Sequence, residues 1–100
     1  MNGVDVVEAV LAVVETIPEG KVMSYGAIAD YLGLGSARIV GQVMAVHGAP
    51  VAWHRVVAAN GRLVPHHEQK QMQKLMAEGV LFRTDKVNMT RYAWYPETPA

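Results

Sequence analysis

The chain has 100 residues, 51% of them apolar, with nine acids balancing nine lysines and arginines, and no cysteine. That length supports one hydrophobic core and a single domain over residues 1–100, while the lack of cysteine excludes a disulfide framework, a thiol nucleophile and a thiolate metal site. No apolar run approaches the roughly 18 residues of a membrane span, and Asp5 and Glu8 stand where a secretory signal carries bases, so a cytoplasmic chain without a membrane partner is expected.

The charges are unevenly placed. Asp5, Glu8, Glu15 and Glu19 fall in the first 20 residues with no base among them. From Tyr31 to His67 there is no acid, and that interval holds Arg38, Arg55, Arg62 and all four histidines. A neutral chain built this way can turn a positive face to phosphate.

In chain order, Asp5 and Glu8 form a capping-box-like pair ahead of Val6, Val7, Val10, Leu11, Val14 and Ile17, whose spacing predicts an amphipathic helix stopped by Pro18-Glu19-Gly20. Ser24 is an N-cap for a short helix over 25–32, with Ile28, Ala29 and Leu32 inward and Gly33 as its stop. Ser36 caps another helix running to His47. Two helices joined by a short glycine-containing turn are a helix-turn-helix pattern. On the second, Ile39, Val43 and Val46 should face inward, whereas Ala37, Gly41 and Ala45 form a stripe of small residues beside Arg38 and Gln42. Such a stripe accepts either a close-packed helix or the groove of a nucleic acid.

Ala49 to Val57 contains a proline, then Trp53, His54 and Arg55 in succession, then two valines that read as a buried strand. Those three side chains are either a core tryptophan, a bonded histidine and a surface arginine, or a site. Asn60-Gly61 predicts a bent strand or small hairpin, and 68–78 a helix with Met72, Leu75 and Met76 inward. Phe82, Tyr92, Trp94 and Tyr95 are aromatic anchors for the tail, which should fray over 96–100. His47, His54, His66 and His67 match no usual zinc spacing, so no metal and no cofactor is expected. The expected architecture is mostly α: a small helical domain with a winged-helix-like helix-turn-helix and short β segments.

The segments 17–29 (IPEGKVMSYGAIA), 37–41 (ARIVG), 54–57 (HRVV) and Glu78-Gly79 resemble, in order, the DNA-binding domain of O6-alkylguanine-DNA alkyltransferases. That family places a proline and the acceptor cysteine before His-Arg-Val; Ala52 and Trp53 stand there instead, as in the alkyltransferase-like proteins. An indole has neither the charge nor a useful lone pair for thiolate chemistry.

The resemblance implies a non-enzymatic sensor that docks its helix-turn-helix in the minor groove of duplex DNA, flips O6-alkylguanine out, and flags it for nucleotide excision repair proteins. A monomer is expected. DNA contacts would come from Tyr25, Ser36, Ala37, Arg38, Gly41 and Gln42, with Arg38 as the finger filling the vacated stack. The pocket would hold Tyr25, Trp53, His54 and Val56, the last through its carbonyl, and His54 with Glu78 would remain a structural pair. His47 replaces a hinge asparagine of the enzymes, and 60–67 lacks their glycine-rich loop, which makes Arg62 and His66 the candidates to close the pocket. Two alternatives are a hydrolase or glycosylase using His54 and Glu78, and a sequence-specific helix-turn-helix regulator.

Overall fold

The computed structural model describes residues 3–97. Its elements are α1 (Gly3–Thr16), β1 (Met23–Ser24), α2 (Tyr25–Leu32), α3 (Ala37–His47), a 3₁₀ turn (Trp53–Arg55), β2 (Val56–Val57), α4 (Glu68–Ala77) and α5 (Met89–Tyr92). The mostly helical expectation holds, with α2 and α3 as the helix-turn-helix.

Two cores are divided by the strands. β1 and β2 pair in parallel, Met23 opposite Val56 and Ser24 opposite Val57. Successive strand residues point to opposite faces. Met23 and Val56 therefore enter a core built by Val10, Val14 and Ile17 of α1, Ile28 of α2 and Val40 and Val43 of α3. Val22 and Val57 enter a second core with Leu63, Leu75, Val80, Val87 and Tyr92. Each strand is only two residues long, yet the tail reinforces β1: Val22 donates to Tyr92 O at 3.0 Å and Trp94 donates to Val22 O at 2.8 Å. Of the aromatic anchors Tyr92 is buried and Phe82 and Trp94 partly buried, while Tyr95 stays 43% exposed. The Tyr92 hydroxyl accepts from Leu81 N at 3.0 Å, and Tyr95 donates to Asp30 at 2.8 Å across a T-shaped contact with Tyr31.

Several expectations are corrected. α1 begins at Gly3, so Asp5 lies inside its first turn, where a carboxylate offsets the helix dipole, rather than before it as a cap. The buried face of α3 is Val40 and Val43; Val46, expected inward, is 75% exposed. Met76 of α4 is likewise 55% exposed, and Gln71 takes the inward place. No hairpin forms at Asn60-Gly61. Ala58 N donates to Arg62 O, but Arg62 then bridges Lys86 rather than extending a strand. The turn is held by Gly61 at φ 86°, with its α-carbon against the carbonyl of Val87. The predicted frayed tail falls mainly on residues 98–100, which lie outside the described residues.

Candidate nucleic-acid interface

The first residue of α2 and the small-residue stripe of α3 are fixed by their caps. Ser24 Oγ accepts from Ala27 N at 3.0 Å, which starts α2 directly after β1 and sets Tyr25 at its N-terminus. Ser36 Oγ accepts from Arg38 N at 3.1 Å and starts α3. α3 buries its other face against α1 and α2, and among the described residues a β-carbon built on Gly41, in the middle of the stripe, meets no atom within 4 Å. The stripe opens instead on a cavity of about 460 Å³, lined by Tyr25, Gly41, Met44, Ala45 and Trp53 and rimmed by Pro65, His67 and Lys70. That volume lies within the roughly 300–1,000 Å³ of small-molecule pockets. Arg38 is exposed, one turn before Gly41 and Gln42 on the same helix.

Trp53 is held by its own segment. Ala52 adopts φ −74°, ψ 63°, an inverse γ-turn in which Trp53 N donates to Val51 O at 2.7 Å. The indole stands edge-on to His54 (centroids 6.3 Å, 89°) and to His67 (6.1 Å, 68°). The ring is one wall of the cavity.

Behind it sits an ion cluster. Glu78 accepts from His54 Nε2 at 2.7 Å, from Arg55 Nη2 at 2.7 Å and Nε at 3.0 Å, and from Gly20 N at 3.0 Å. Arg55 Nη1 donates onward to Ile17 O at 2.8 Å. Arg55 is thus a half-buried tie between the end of α1 and the end of α4, not a surface residue. Burial raises the Glu78 pKa, but the hydrogen bonds from Arg55, then His54 and Gly20, outweigh it and bring the carboxyl from 4.5 to about 2. The Glu78 hydrogen bonds likewise hold the Arg55 guanidinium above its ordinary pKa. A carboxylate so depressed is a poor acceptor of a catalytic proton. Tyr25 also lines the cavity, and burial raises its pKa.

Gln71, fully buried, is the second organiser. Its amide nitrogen donates to His54 O at 3.1 Å and Val56 O at 2.9 Å, and its oxygen accepts from Val64 N at 2.7 Å. It ties α4 to both the Trp53 segment and the 58–67 loop.

The structure brings Tyr25, Gly41 and Trp53 into one cavity and sets Ser36, Ala37, Arg38 and Gln42 exposed on α3, with His54 behind Trp53 on Glu78. Three pocket candidates are placed elsewhere. The Val56 side chain is in the core and its carbonyl accepts from Gln71. Arg62 is exposed in its bridge to Lys86. His66, at φ 70°, faces an outer depression with Glu68 and Gln69. The rim belongs instead to His67 and Lys70, which sequence reasoning missed. Their i, i+3 spacing at the start of a helix was the available signal.

Residues 5–80 match the family described as 6-O-methylguanine DNA methyltransferase, DNA binding domain. The chain is 42% identical over 93 residues to alkyltransferase-like protein 1 of Schizosaccharomyces pombe, covering 80% of this chain and 85% of that one. It is 37% identical to a DNA base-flipping protein of Vibrio parahaemolyticus, covering 87% and 93%. The crystal structure of S. pombe Atl1 in complex with damaged DNA containing O6-carboxymethylguanine superposes with a TM-score of 0.85 at 36% identity, covering 96% of this chain and all of that one.

Proposed function

The chain belongs to the 6-O-methylguanine DNA methyltransferase DNA-binding family, in its alkyltransferase-like branch, and from that membership we propose that it is a non-enzymatic sensor of O6-alkylguanine in duplex DNA. The observation that carries this reading is Trp53: an unreactive ring forms one wall of a cavity that opens between the α3 stripe and the α4 rim. With no cysteine anywhere in the chain, transfer of the alkyl group to a thiolate has no acceptor.

α3 enters the minor groove by its small-residue face, where Gly41 leaves room for a sugar-phosphate backbone. Arg38 fills the stack vacated by the flipped nucleotide. Flipping costs a few kcal/mol, and less for a base whose pairing alkylation has already weakened, so the lesion is favoured before it reaches the cavity. Contact with Trp53 and Tyr25 then returns on the order of 1–3 kcal/mol per stacked base. The product is a bent, loaded duplex with its lesion intact, which nucleotide excision repair proteins recognise.

Binding of duplexes with and without O6-methylguanine, followed by a mass spectrum of the recovered strand, tests the reading. Preference for the lesion with unchanged strand mass is expected. Loss of the alkyl group, or equal affinity for both duplexes, overturns it.

A further inference from the structure

The cavity is lined very unevenly in charge. Its α3 wall of Gly41, Met44 and Ala45 carries none, and Trp53, Val64 and Pro65 are apolar. Among the described residues lining it, the ionisable groups are Tyr25, whose pKa burial raises, and His67 with Lys70 at the rim; no carboxylate is among them. Lys70 stands one helical turn beyond His67, on the ridge between the cavity and the outer depression, and forms none of the salt bridges found among the described residues. The acid nearest to it in sequence, Glu68, lies on the outer side of that ridge. An adduct that reaches the rim therefore meets one flexible ammonium and no opposing anion.

Resting on the reading of this cavity as the lesion site, we propose that Lys70 makes the protein select O6 substituents that carry negative charge. A lysine is suited to this: a compact charge on a four-carbon stem can follow a substituent of variable length, whereas the aromatic walls hold the base itself. Uncharged adducts take the same cavity and stack on the same walls. They forgo only the contact at the rim. Lys70 is thus a residue that determines specificity without setting whether lesions are bound.

The test compares duplexes carrying O6-methylguanine, O6-carboxymethylguanine and its neutral isostere O6-carbamoylmethylguanine, at one salt concentration, with the wild-type chain and Lys70→Gln. The wild type should bind the carboxylate about tenfold more tightly than the carboxamide, the order of one hydrogen bond to a charged group. Lys70→Gln should bring that ratio to near one, weakening the carboxylate duplex about tenfold more than the carboxamide and O6-methylguanine duplexes. A wild-type ratio near one overturns the proposal. So does a Lys70→Gln variant that weakens all three duplexes equally, since its ammonium would then serve a phosphate. If lesions are preferred over guanine but the ratio fails, only this inference falls; if no lesion is preferred, the sensor reading falls with it.

Discussion

Replacing Glu78 by Gln keeps the shape of the side chain and removes its charge, which isolates what the ion cluster contributes. The carboxyl is 12% exposed and Arg55 is 15% exposed, so solvent screens the pair weakly. A pKa brought from 4.5 to about 2 corresponds to about 3 kcal/mol of stability, at about 1.36 kcal/mol per unit. Breaking a buried pair from one side gives the same size by another route, about 3–5 kcal/mol, because Arg55 is left uncompensated. For a domain this small the midpoint of thermal unfolding should fall by about 12–24 °C. The sign follows from the depressed pKa: the contribution is complete above pH 4.5 and is lost as pH falls toward 2. Urea unfolding of both chains between pH 7 and pH 2 should show a wild-type advantage of about 3 kcal/mol that closes across that window. An advantage below about 1 kcal/mol at pH 7, or one that does not change between pH 4.5 and 2, would refute the reasoning.

The α3 face can be probed without disturbing the core. Arg38→Ala should weaken lesion-duplex binding by about tenfold or more and reduce the salt slope by about one, read by titration at several ionic strengths; an unchanged affinity would remove Arg38 from the interface. Because a β-carbon at Gly41 meets nothing within 4 Å, Gly41→Ala should gain up to about 1 kcal/mol of stability from helix propensity. Gly41→Leu should fold equally well and abolish preference for the lesion by filling the cavity, measured by competition between modified and unmodified duplexes. Gln71→Leu should lose about 3 kcal/mol in chemical denaturation, since Val64 N, His54 O and Val56 O lose their buried partner; a loss under about 1 kcal/mol would mean the amide organises nothing.

The parts of the fold that rest on local chemistry were legible in the sequence. Ser24 and Ser36 cap the helices they announce, and the apolar pair Val56-Val57 is the buried strand it reads as. Periodicity gives the relative phase of side chains along a helix but not what packs against each turn, so it assigns inward positions to Val46 and Met76, which the fold leaves exposed. Gln71 could not have been singled out. It stands among Gln69, Lys70, Gln73 and Lys74, identical in type to solvated residues, and its partners lie 7 to 17 residues away. Arg55 was hidden for the same reason: its partners Ile17 and Glu78 come together only when the ends of α1 and α4 meet. The sequence alone does not separate His66 from His67, adjacent in one loop; in the fold it is His67 whose ring meets Trp53, after a residue at positive φ.

The central claim is that a flipped base rests against Trp53. It is tested most directly in Trp94→Phe, which leaves Trp53 as the sole tryptophan of the chain. Titrating this variant with a duplex carrying O6-methylguanine should quench the Trp53 emission to saturation at one duplex per protein, with an unmodified duplex of the same sequence quenching only at far higher concentration. Saturated binding of the lesion duplex with the Trp53 emission unchanged would contradict the account.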